Sequence, residues 1–84
     1  MKIVAKPIEC VVNFDKRNEF PEPIRFRYFD KEEVAHVIVI EKIKRIERQR
    51  MAGIHSIVYS CFSQNIEYEL KFVLDTCKWC LFRV

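Results

Sequence analysis

One glycine and three prolines among 84 residues leave no room for a flexible linker or a low-complexity segment. Long apolar runs are lacking too. None is longer than Val37 to Ile40, far too short to span a bilayer as a helix. The opening stretch, Met1-Lys2-Ile3-Val4-Ala5-Lys6, is interrupted by charge before a signal-peptide core could form. Together these absences predict a cytoplasmic chain with no membrane attachment. In a reducing compartment Cys10, Cys61, Cys77 and Cys80 are then expected as free thiols, because an even cysteine number without an oxidising address does not argue for disulfides.

What is present suits a packed core. Half the residues are hydrophobic and 13% are aromatic, which excludes a disordered chain and predicts one domain over residues 1–84. Charge is local. Residues 1–40 carry seven basic and seven acidic side chains, and residues 51–84 carry three of each. Residues 41–50 carry five basic against two acidic, so the whole formal charge of +3 sits in that decapeptide.

Period-2 alternation dominates the chain. Lys6 to Asp15 reads as a first strand, with Ile8, Cys10, Val12 and Phe14 in the buried phase. After Pro21-Glu22-Pro23, which cannot pair regularly, a second strand places Ile24, Phe26 and Tyr28 inward and Arg25 and Arg27 outward. A third begins at Val34, with Val34, His36, Ile38 and Ile40 in one phase. Its β-branched density favours a strand. At Ile40 the spacing slips, since Ile43 and Ile46 follow three apart. A β-bulge and a short helix over 40–51 both fit that slip. The bulged strand is preferred because no helix-capping residue precedes Ile40.

Met51-Ala52-Gly53 turns the chain, and His55 to Phe62 forms a fourth strand. Ser63-Gln64-Asn65 turns it again into a closing hairpin, Ile66 to Val84. Tyr68, Leu70, Phe72 and Leu74 alternate there with charge. Beyond Asp75-Thr76, the stretch from Cys77 to Val84 is apolar on both phases, as a central strand covered on both faces would be. The only tryptophan, Trp79, is expected to be largely buried there, making this hairpin the organising element. The expected fold is all-β: a small antiparallel meander of about six strands closing into an SH3-like, partly open barrel.

Few residues offer chemistry. Cys77-x-x-Cys80 has redox or zinc spacing, but lacks the helix start or second cysteine pair those sites use. In a strand, residues three apart face opposite ways, so the two thiols are read as packing residues and no metal is expected. His36 and His55 stand alone, and no nucleophile, base and orienting acid occur at a recognisable spacing. The chain is therefore read as non-enzymatic and without a cofactor.

The basic run is the sharpest candidate site. In a regular strand Lys42, Lys44, Arg48 and Arg50 would share one phase, with Arg45 opposite, spaced to track a phosphate backbone. An edge strand also carries charge simply to block aggregation. The leading expectation is a small interaction module whose partner is another protein or a second copy. Weak, sequence-tolerant binding of nucleic acid or another polyanion through residues 41–50 is the alternative.

From Pro23 to Val84, the order Phe26-x-Tyr28, a β-branched strand, a basic connection, Tyr59, Tyr68-x-Leu70 and Trp79-x-Leu81 resembles a group of small bacterial domains of unknown function. Those are short β-barrels ending in a Trp-x-Leu strand. More loosely, Ile24-x-Phe26-x-Tyr28 is similar to the opening strand of WYL-type domains, which share an SH3-like barrel and bind nucleic acid or nucleotide ligands through arginines. The resemblance implies a bacterial source and a barrel, and it assigns no site residues.

Overall fold

The computed structural model describes residues 1–17 and 19–84. Seven strands follow one another: β1 (Ile3–Asn13), β2 (Glu22–Phe29), β3 (Ala35–Val39), β4 (Lys42–Met51), β5 (Ile54–Ser63), β6 (Ile66–Val73) and β7 (Lys78–Arg83). They form one antiparallel sheet in the order β3-β2-β1-β7-β6-β5-β4, and the sheet is not closed. The all-β, partly open barrel expected from the alternation is what the chain builds.

The strand count differs from expectation for one reason. The run from Val34 to Met51 is two strands joined at a sharp corner. Ile40 N–H donates to the Ile24 carbonyl of β2 at 2.9 Å, and the next residue, Glu41, donates to the Phe62 carbonyl of β5 at 2.9 Å. The pairing partner changes between consecutive residues. β1 does the same over its length, pairing β7 through Ile3 to Ile8 and β2 through Glu9 to Asn13. These two corners bend the sheet around a single core.

Residues 42–51 are a bulged strand, not a helix. The irregularity lies between Ile43 and Arg45, so Lys44 is the extra residue. Ile43 pairs with Cys61 and Ile46 with Tyr59, both core positions on β5. The three-residue isoleucine spacing is thus the trace of one inserted residue. A second bulge lies where β1 steps from Val11 opposite Arg25 to Val12 opposite Pro23. It leaves Ile24 as the extra residue, 44% exposed where an inward side chain was expected, while Pro23 turns in and is buried.

β5 is the strand covered on both faces, with Ser56, Ile57, Val58 and Tyr59 buried in succession. That corrects the role expected of Trp79 and the closing hairpin. Leu81 is the only buried residue of β7, and Trp79 is half-buried, its ring 5.2 Å from Tyr59 and 4.8 Å from Phe72. Around β5 gather Phe26, Tyr68, Leu70, Phe72 and Leu81. Tyr59 is fully buried, and its hydroxyl donates to the Pro21 carbonyl, tying the start of β2 to the core. Two other expectations fail at strand ends. Phe14 lies beyond β1 and is 74% exposed, and Val34 lies before β3 and is 51% exposed.

Candidate functional site

The bulge at Lys44 separates the five basic residues expected to act together. Lys42 pairs with Phe62 and Arg45 with Ser60, on the outer face of the sheet. Arg48 and Arg50 pair with Ile57 and His55, on the phase that carries the core further along β5. Lys42, Lys44, Arg48 and Arg50 therefore do not share the row expected of them, since Lys42 lies with Arg45 on one face, Arg48 with Arg50 on the other, and Lys44 in the bulge between. Partners reduce the field further. Arg45 pairs with Glu47 at 3.0 Å, and Arg48 pairs with Glu19 at 3.2 Å while its guanidinium lies 5.1 Å from the Phe20 ring. Lys44 extends over the Phe62 ring at 5.7 Å. Lys42, Lys44 and Arg50 form no ion pair with the described residues. Beside β4 a groove of about 580 Å³ brings in Arg17, but Glu19 and Glu22 line it too. Glu19 lies 29 residues from Arg48, and no local sequence signal connects them.

The two sheet edges are unlike. β4 is lined with charge. β3, at the other end of the sheet, is short, has no Lys, Arg, Asp or Glu, and reads Ala35-His36-Val37-Ile38-Val39. Its register against β2 sets Ile38 opposite Phe26 and His36 opposite Tyr28. Because Ile40 N–H bonds to β2, the even-numbered residues direct their backbone groups to β2. Ala35, Val37 and Val39 therefore present N–H and C=O on the free edge. Their side chains share the outer face, where Val37 is 59% and Val39 57% exposed. Two-stranded alternation was legible from sequence, whereas edge position was not, since it depends on the partner change at Ile40.

Asp30 fixes the turn that feeds β3. Its Oδ1 accepts the N–H groups of Glu32 and Val34 at 2.9 and 3.0 Å, and its Oδ2 meets His36 Nε2 at 2.8 Å. The bond to His36, then those to the backbone, hold the Asp30 carboxyl below its ordinary range. The His36 ring stacks on Tyr28, centroids 5.0 Å apart. His36 is thus a rim histidine whose partner is the Asp30 carboxylate.

The cysteines are scattered. Cys61 is buried and Cys10 half-buried, and burial pushes both thiols up to about 12. Cys77 lies in the β6–β7 turn at φ 56°, not in the strand expected to contain it, and is exposed. Cys80 lies half-buried on β7, where burial raises its thiol. Among the described residues, no three His, Cys, Asp or Glu side chains group as metal ligands would, and no helix is long and apolar enough to cross a membrane. Compared with known protein families, curated proteins and solved structures, the chain matches none at a significant level.

Proposed function

We propose that this protein is a small non-enzymatic interaction module that joins to a second copy of itself by pairing β3 with β3. The contrast between its two edges carries the reading: β4 is guarded by charge, and β3 offers unpaired backbone groups under exposed valines. Exposed apolar edge strands are templates for strand addition. A two-fold axis at Val37 would pair Val37 with Val37 of the other copy and Ala35 with Val39, each exchanging N–H···O=C bonds. Charge supports a second copy as the occupant. Residues 30–33, the turn before β3, carry three acidic groups and one basic, and residues 41–45, beyond the corner that ends it, three basic and one acidic, so an antiparallel pair brings the acidic end of each strand toward the basic end of the other.

Sedimentation equilibrium tests this directly. The wild-type chain should show a concentration-dependent dimer, weakened by salt. Val37→Lys should be monomeric with an almost unchanged melting temperature, because the side chain is exposed and a like charge then faces itself across the axis. A wild-type chain that is monomeric throughout, or a Val37→Lys variant that still dimerises, overturns the reading. Polyanion binding through Lys42, Lys44, Arg45, Arg48 and Arg50 has less behind it, since the bulge splits the row and Glu19 and Glu47 occupy two of its arginines.

A further inference from the structure

At one end of the barrel, away from both edges, a lysine stands where an apolar residue is expected. The inward phase of β1 reads Val4, Lys6, Ile8, Cys10 and Val12, all half-buried. A register irregularity between Ile3 and Lys6, with Ala5 at φ 46°, sets Lys6 directly opposite the core residue Leu81. A left-handed alanine within a strand is costly, and bulges of this kind serve to re-aim a neighbouring side chain.

Lys6 forms no ion pair with the described residues. Its ammonium lies 5.5 Å from the centroid of the Tyr28 ring. Asp30 lines an adjoining cleft with Lys6, but both its oxygens are already engaged by Glu32, Val34 and His36. Below Lys6 is a cleft of about 280 Å³, walled by Val4, Ile66, Leu81 and Val84 and completed by Tyr28 and Tyr68. The Tyr68 ring is buried against Phe26, centroids 5.5 Å apart, yet its hydroxyl forms no hydrogen bond to the described residues. Burial and the neighbouring Tyr28 raise the Tyr68 phenol, so it remains a donor.

An apolar pocket with one unpaired cation and a free phenolic donor matches one ligand chemistry. We infer that this cleft binds a small apolar or aromatic monocarboxylate, its carboxylate on Lys6 and the Tyr68 hydroxyl and its hydrocarbon part against Val4, Ile66 and Leu81. The volume admits a single ring or a short acyl chain. No residue of β3 lines the cleft, and its one link to that strand is the stacking of Tyr28 on His36, so the Val37→Lys variant that tests self-association leaves every lining residue in place.

The test is a ¹H–¹⁵N correlation titration with benzoate, benzyl alcohol and acetate. Benzoate should move the signals of Val4, Lys6, Tyr28, Tyr68 and Leu81. Benzyl alcohol, which lacks the charge, should bind about tenfold more weakly or worse, and acetate, which lacks the ring, should also be weaker. Lys6→Met keeps the aliphatic stem and should bind benzoate and benzyl alcohol alike, its own spectrum reporting whether it is folded. Lys6→Gln is the substitute should it not be. Equal binding of benzoate and benzyl alcohol by the wild-type chain, no shifts at these residues, or a Lys6 variant that keeps the preference for benzoate overturns the inference.

Discussion

Cys77 and Cys80 are three residues apart in sequence, but one occupies a turn and the other a strand. The sequence argument excluded a shared metal because strand residues three apart diverge. In the fold Cys77 precedes β7 in the turn, so the two are not strand residues three apart and that argument does not apply. What sequence could not reveal is the gradient of environment among the four thiols. Reactivity should follow it. A thiol held near 12 is only about one part in 10⁴ thiolate at pH 8, and thiolate is the reacting species. Under native conditions a disulfide reagent should therefore label Cys77 first and Cys80 more slowly. Cys10 and Cys61 should react only as the protein unfolds. Mass spectrometry of partly labelled protein gives the order, and early labelling of Cys61 would contradict the core as described. Lys6 shows the opposite limit of sequence reading. It shared the phase of Ile8 and Cys10 in plain view, yet its significance depends on Leu81 and Tyr68, which only the folded sheet brings to it.

At the scale of elements, alternation and turn chemistry were legible, and irregularities were legible only as breaks in pattern. The Ile40, Ile43, Ile46 spacing announced a disturbance, but the pairing partners were needed to locate the bulge at Lys44 and the corner at Ile40-Glu41. The Ile24 bulge left no trace, because Ile24-x-Phe26-x-Tyr28 alternates perfectly. Two-residue turns are plainer. Met51 pairs with Ile54 around Ala52 and Gly53, at φ 51° and 81°, and Ser63 pairs with Ile66 around Gln64 and Asn65, at φ 49° and 65°. Both loops need two left-handed residues, the conformation that matches strand twist and favours Asn-Gly. Ala52 is the poorest fit among the four. Ala52→Asn should therefore stabilise the domain by about 0.5–1 kcal/mol, since a left-handed alanine costs roughly 1 kcal/mol or more. In a chain this size each kcal/mol raises the melting temperature by about 4–8 °C, well within calorimetric reach. Gly53→Ala should destabilise although nothing lies within 4 Å of the added methyl, because its cost is conformational.

For the molecule as a whole, the organising strand is β5, which lies between β4 and β6 and is buried on both faces, while the chain's two end strands, β1 and β7, pair at the middle of the open sheet. The apolar mass of the final hairpin drew attention to Trp79, but mass does not give position. Ile57, Tyr59 and Cys61, lighter and split by small residues, are what the sheet encloses, while Val58 is buried on the opposite face. Two corners hold the bent sheet, one in β1 and one at Ile40-Glu41, and they can be separated by experiment. Lys2 and Val84 exchange backbone hydrogen bonds at 2.8 and 3.0 Å, so a short linker can join the ends of the chain without strain. The joined chain can then be reopened at either of two places. New ends between Ala52 and Gly53 interrupt only a hairpin turn, and that permutant should melt cooperatively near the wild-type temperature. New ends between Ile40 and Glu41 sever a corner, leaving β3 attached only through β2 and β4 only through β5. That permutant should melt at a lower temperature, with β3 and β4 losing amide protection before β5 and β6 do. Should it melt as high as the other, the corner in β1 alone holds the two parts of the sheet together, and the continuous path from Ala35 to Met51 is a convenience of connection rather than a support.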